Sequence, residues 1–183
     1  MAKRIILASV SPRRKEILAR LIQDFEIVAP LTKEIELDTP EKTALENSIR
    51  KARSIERGEG QVVIACDTIV AKDNKIFHKP VSRQNAIEML EELKGVWHKV
   101  YSGVTVVGQS QTSFVEVSRV KIKNLSRKQI EEYVDNYKPY DKAGSYAIQD
   151  GVVAERYKGD YDNIVGLPLT KLQKILRETG IDV

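Results

Sequence analysis

The sequence is short of the residues that mark secreted, membrane-spanning or thiolate-metal proteins. It has one cysteine, Cys66, in 183 residues, so no disulfide can form within the chain. That scarcity points to a reduced, cytoplasmic protein. It has two histidines, His78 and His98, and neither stands at a metal-ligand spacing. No apolar run reaches the roughly 18 residues of a transmembrane helix, so no membrane partner is expected. The segment from Met1 to Leu7 carries two basic residues and a short apolar run, then meets Ser-Val-Ser-Pro-Arg-Arg. That pattern does not suit a signal peptide. A glycine-rich phosphate loop ending in Gly-Lys-Ser is absent, which excludes a Walker-type site. Charge of one sign is also scarce. The net charge is +4, from 30 basic and 26 acidic residues, and aromatics are only 6%. Nucleic-acid binders usually carry a basic stripe with aromatics interleaved. Here the basic residues are dispersed, apart from Arg13-Arg14-Lys15 and Arg50-Lys51-Ala52-Arg53, so no nucleic-acid partner is expected.

What remains is an ordinary globular composition, 42% hydrophobic and 31% charged, without repeats or linkers. The length suits one α/β domain, or two small lobes sharing a core. Lys3 to Ala8 reads as a buried strand. Ser11-Pro12 then opens a helix, with Ser11 as cap and Ile17, Leu18, Leu21 and Ile22 at helical spacing. Phe25 to Val28 is a second strand. Thr39-Pro40 opens a longer helix with Leu45, Ile49, Ala52 and Ile55 on one face. Val62 to Cys66 is a continuous apolar run, which predicts a strand buried on both faces and ending in Asp67, with Thr68-Ile69-Val70 continuing extended. Ser82 caps a helix that stops at Gly95. Trp97 to Val107 and Ser113 to Ile122 read as a hairpin. Ser126 with Gln129 forms a capping box. Tyr146 to Ile148 and Val152 to Tyr157 read as short strands, and Leu169 begins the last helix. Interleaved strands and helices predict an α/β class with a mixed sheet.

Three places join a buried strand to polar chemistry, and open α/β sheets bind ligands at strand ends. In Ser9-Val10-Ser11-Pro12-Arg13-Arg14 a strand meets a helix N-terminus, with two hydroxyls and two guanidiniums beside its free N–H groups. That is the physics of phosphate binding, although Ser11 could merely cap the helix and the arginines could be solvated. Asp67 follows five apolar residues. A carboxylate there is costly unless a cation or hydrogen bonds compensate it, and a divalent metal is one such cation. Lys51 and Lys79 sit in structured surroundings, where a lysine can neutralise a phosphoryl oxygen; most lysines are simply solvated.

Taken in order, these segments resemble the Maf family of nucleotide pyrophosphatases over nearly the whole chain. The resemblance rests on Leu7 to Arg14, Lys51-Ala52, Ala65-Cys66-Asp67-Thr68, Lys79-Pro80, Pro139 to Gln149, Gly159-Asp160-Tyr161 and Val165 to Leu169. It implies a single domain over residues 1–183. Its fold would be a Maf/ITPase-like elongated mixed sheet with flanking helices in two lobes, with the nucleotide in a cleft between them. It implies hydrolysis between the α- and β-phosphates, a divalent cation (Mg2+, Mn2+ or Co2+) and a homodimer. Arg13, Thr68 and Gln149 match the branch acting on dTTP, UTP and modified uridine nucleotides. By the same resemblance Asp67, Lys51, Lys79 and Glu34 are catalytic. Asp67 and Glu34 would hold the metal. Ser9, Arg13, Arg14, Thr68 and Gln149 would bind substrate. The family's acidic position falls on Lys33-Glu34 here, so Glu34 or Glu36 fills that role. Asp67 either activates water or only holds the metal. Because family members are associated with restraint of cell division, a nucleotide-binding regulator without turnover is the alternative.

Overall fold

The computed structural model describes residues 3–181 and 183. In chain order the elements are β1 (Arg4–Ala8), α1 (Pro12–Ala19), β2 (Phe25–Val28), α2 (Pro40–Arg53), β3 (Gln61–Lys72), β4 (Lys75–Phe77), α3 (Arg83–Leu93), β5 (Trp97–Val107), β6 (Gln111–Ile122), α4 (Arg127–Tyr137), β7 (Ala154–Lys158), α5 (Tyr161–Val165) and α6 (Leu169–Glu178). The seven strands make one mixed sheet in the order β2-β1-β3-β5-β6-β7, with β4 also paired to β3. Helix starts follow their capping residues. Thr39 accepts from the Lys42 amide, Ser82 from the Asn85 amide, and Ser126 with Gln129 closes a full capping box.

Alternation along β3 and β5 assigns the two sheet faces. One face carries Val63, Ala65, Ile69 and Ala71 and is covered by α2. The approach is so close that a Cβ on Gly103 would lie 2.1 Å from the Ala44 carbonyl oxygen. The other face carries two separate cores. At one end α1 and α6 bring Ile17, Leu18, Leu172 and Leu176 onto Val62, Ile64, Val104 and Val106. At the other end α3 and α4 bring Ile87, Leu90, Ile130 and Val134 onto Val70, Val100 and Val120. Fully burying a side chain of this size stabilises by about 1.5–3 kcal/mol, so each end is a lobe in its own right. Between the lobes the sheet is polar, at Thr68 and Ser102, and Asn163 of α5 packs onto it. Thr68 Oγ1 and Ser102 Oγ are 3.0 Å apart, and Asn163 donates to the Val100 carbonyl at 3.2 Å.

The sequence reading needs three corrections. Asp67 does not end a strand: β3 runs on to Lys72, and its neighbours are what stop. β1 pairs with residues 61–65 of β3 and β4 with residues 70–72 on the same edge, so the edge at 66–69 lies open. Second, Tyr146 to Ile148 is not a strand. Tyr146 and Ala147 lie between two single 3-10 turns, Ala143–Ser145 and Ile148–Asp150, and Ile148 opens the second. Third, the strand expected from Val152 begins at Ala154, and the hairpin is tighter than expected, with β6 starting at Gln111. Among the described residues no helix is long and apolar enough to cross a membrane.

Candidate active site

The open edge of β3 carries two adjacent residues facing opposite ways. Asp67 points to the α2 side and Thr68 to the side of the two lobes, because side chains alternate along a strand. A cavity lies on each side of this edge. The larger, about 490 Å³, is lined by Ser9, Ser11, Arg13, Arg14, Glu34, Lys51, Lys79 and Asp141, among others. The smaller, about 100 Å³, is lined by Thr68, Tyr146, Ile148, Gln149 and Gly166, among others. Ser11, Arg13 and Arg14 line both, so α1 forms their common wall.

In the larger cavity, opposite charges are stacked. The Lys51 ammonium lies 2.5 Å from Asp67 Oδ1 and 2.7 Å from Glu34 Oε1. Asp67 and Lys51 are both buried, whereas the Glu34 side chain is 64% exposed. Burial pushes the Glu34 carboxyl up. The Lys51 hydrogen bond and the charges of Lys51 and Lys79 outweigh this and hold it below the ordinary carboxylate value. Glu36, the other acidic candidate, turns to exposed His78 at 3.0 Å, so Glu34 is the carboxylate beside Asp67.

Asn47 is a site residue that the sequence reading missed. Its amide donates to Asp67 Oδ2 at 3.2 Å and to the Ile35 carbonyl at 3.0 Å, and it accepts from the Ile35 amide at 2.9 Å. It therefore fastens the Glu34 segment to the buried carboxylate. A signal existed. Thr43, Asn47 and Lys51 are four residues apart, so they share one helix stripe, and all three are buried polar groups.

The arginines play different parts. Arg14 is a strut, donating to the Gly166 carbonyl at 2.9 Å, Thr68 Oγ1 at 3.1 Å and Ser9 Oγ at 3.4 Å. Arg13 reaches across the cleft to Asp141 at 2.8 Å, and Lys142 meets the same carboxylate at 2.8 Å. Burial pushes the Asp141 carboxyl up, but the hydrogen bonds from Lys142 and Arg13 prevail and hold it at about 2. Ser11 sits at the start of α1 without a side-chain cap, and Ser9 Oγ accepts its amide at 3.2 Å. Gln149 is exposed at the rim of the smaller cavity. All nine candidate residues thus fall on the two cavities or directly behind them; Asp67 is the one behind, screened by Lys51.

Two carboxylate oxygens converge on one cation position beside a basic cavity. This donor set suits a hard divalent cation, which takes one or two protein carboxylates and completes its shell from phosphate and water. Among the described residues no group of three or more His, Cys, Asp or Glu gathers as a metal cluster, at this site or elsewhere.

Fold and site together define a cleft protein with a larger cavity rich in basic side chains against one wall and a small polar pocket beside it. Comparison with known proteins makes this specific. The family model described as "Maf-like protein" matches residues 4–179. A protein of Thermosipho africanus named dTTP/UTP pyrophosphatase is 44% identical over 182 residues, covering 97% of this chain and 94% of the relative. A protein of the same name from Clostridium botulinum strain Okra is 39% identical, covering 99% of this chain and all of the relative. The Ham1 protein of Staphylococcus aureus shares the fold, with a TM-score of 0.55 at 16% identity over 97% of this chain and 100% of that one. The chain belongs to the Maf family.

Proposed function

We propose that this protein hydrolyses dTTP, UTP and modified uridine nucleotides to the nucleoside monophosphate and pyrophosphate, a house-cleaning role in the nucleotide pool. The full-length relatives bearing the name dTTP/UTP pyrophosphatase support the reaction. The observation that carries the reading is the placement of Asp67 and Thr68. One strand edge carries a buried carboxylate behind the larger, basic cavity on one side and a hydroxyl that lines the smaller pocket on the other.

In this reading the triphosphate lies in the larger cavity, where Arg13, Lys51 and Lys79 spread positive charge over it and Ser9 cradles phosphate. Cationic groups help most where charge develops, on the departing pyrophosphate. A water attacks the α-phosphorus in line, forming one P–O bond as the bond to the bridging oxygen breaks. Lys51 turns from Asp67 towards the phosphates and frees that carboxylate to orient the water and take its proton. Asp67 and Glu34 would hold a divalent cation (Mg2+, Mn2+ or Co2+), which would neutralise phosphate charge and lower the pKa of water. Arg14 holds Thr68 and the neighbouring backbone in place. The Gln149 amide donates and accepts at once, as the uracil or thymine edge requires. The protein acts as one domain, as a homodimer in the cytoplasm, with the single buried Cys66 kept reduced.

The test is pyrophosphate release from a panel of nucleoside triphosphates, with each divalent cation and with chelator. The expected result is metal-dependent release from dTTP and UTP with little from ATP or GTP. No release from any nucleotide would overturn catalysis and leave a nucleotide-binding regulator of cell division.

A further inference from the structure

The residue behind the base-reading segment is Tyr133, on α4. It is 2% exposed, and its hydroxyl is placed between the two ends of residues 147–150. It accepts from the Ala147 amide at 3.2 Å and donates to Asp150 Oδ2 at 2.5 Å. Gln149 lies between these anchors, exposed, at the rim of the smaller cavity. Otherwise the segment packs against α5 and has two backbone hydrogen bonds of its own. Its backbone closes on itself through the Asp150 amide to the Ala147 carbonyl, 3.3 Å, and the Gly151 amide to the Ile148 carbonyl, 3.2 Å. Gly151 adopts φ +67°, so the chain turns away at once. The tyrosine itself is held rigidly, its ring stacked on Tyr137 at 4.8 Å and 22°. A phenol on a helix thus anchors both ends of a turn that is otherwise held by two long hydrogen bonds and by packing against α5.

We infer that Tyr133 is the positioning residue for base selection: its hydroxyl, shared between Ala147 and Asp150, holds Gln149 where its amide can pair with the base. This rests on the proposed role of Gln149. A hydrogen bond to a charged group that also prevents a buried amide from going unpaired is worth about ten-fold in an equilibrium. Removing the hydroxyl should therefore lower discrimination by about that factor while leaving the phosphate end of the cleft intact.

The experiment compares kcat/KM for UTP and GTP in wild type, Gln149→Ala, Tyr133→Phe, Asp150→Asn and Asp150→Ala. Thermal melts confirm that each variant folds. Tyr133→Phe keeps the stacked ring and should reduce the UTP-to-GTP ratio about ten-fold, through KM for UTP, with kcat within about two-fold of wild type. Asp150→Asn retains an acceptor for the phenol and should keep the ratio. Asp150→Ala should lose it as Tyr133→Phe does, and serves if the tyrosine variant fails to fold. An unchanged ratio in Gln149→Ala would overturn the reading of Gln149 itself. A reduced ratio in Gln149→Ala with unchanged ratios in both Tyr133→Phe and Asp150→Ala would overturn the role of Tyr133 alone. So would an equal loss of kcat for every nucleotide in Tyr133→Phe, because that marks general loosening.

Discussion

The Lys51 ammonium stands 2.5 Å from Asp67 Oδ1, and it screens that buried carboxylate from the cavity that Lys51 itself lines. In the proposed function the pair is a charge reserve: the lysine is the counter-ion of Asp67 in this structure and would turn to phosphate when substrate enters. Lys51→Met strips Asp67 of its counter-ion and should cost about 3–5 kcal/mol of stability. Adding Asp67→Asn should recover most of that loss, since the amide no longer needs a cation. Asp67→Asn alone should fold and lose turnover by about three orders of magnitude or more. Urea melts and pyrophosphate release measure both effects. Turnover near wild type in Asp67→Asn would sink the assignment.

Arg13 and Asp141 form a second reserve, across the mouth of the cleft. Their side chains are 25% and 59% exposed, so the pair contributes little to stability, under about 1 kcal/mol. In the proposed function its effect belongs to binding, because Asp141 would compete with phosphate for the guanidinium. Asp141→Asn should lower KM for UTP a few-fold with an almost unchanged melting temperature, and Arg13→Ala should raise it. Steady-state kinetics decide; a raised KM in Asp141→Asn would mean that the carboxylate itself assists binding.

Much of this was legible in the sequence, and the reasons differ by element. Capping residues and apolar periodicity are local, so the helices opened by Thr39, Ser82 and Ser126 start where their residues require. Eight of the nine candidate residues stand in motifs, which are also local; the ninth, Glu34, was open against Glu36. The open edge at residues 66–69 was not legible, because it depends on where β1 and β4 stop along a third strand. The extended stretch at Tyr146 looked like a strand because its composition suits one, yet Tyr133 and two turns hold it instead of a neighbouring strand. Asn47 was overlooked because a polar residue on a helix is ordinarily solvated, and only its spacing from Thr43 and Lys51 marked it. Choosing Glu34 over Glu36 needed the loop's path, which Asn47 fixes through the Ile35 backbone.

Gly103 measures how tightly α2 must sit for Lys51 and Asn47 to reach Asp67. A Cβ there would lie 2.1 Å from Ala44 O and 2.6 Å from Leu45 N, and backbone atoms cannot move aside as side chains do. Gly103→Ala should therefore cost about 3 kcal/mol or more and depress turnover by lifting α2 from the strand. A thermal melt gives the first result and an assay at saturating UTP the second. A melting temperature within about 2 °C of wild type would mean that the helix moves freely and that its height does not set the site.

His98 makes stability depend on pH in a definite window. It is 2% exposed, with Nε2 2.7 Å from the Tyr146 hydroxyl, and burial pulls its pKa from the ordinary 6.5 down to about 4. The unfolded chain therefore takes up a proton near pH 6.5, while the folded chain resists until about pH 4. Between those values the unfolded state holds more protons, so the folded state loses stability as pH falls. The contribution is fully present above the unfolded pKa and has gone once the pH is below the folded one. Its full size is about 3 kcal/mol. His98→Gln, which can still meet Tyr146, removes the titration. Unfolding by urea at pH 7.5 and pH 4.5 should show wild type losing about 2–3 kcal/mol relative to the variant. A stability difference that stays constant between the two pH values would show that the folded protein protonates His98 as readily as the unfolded chain does.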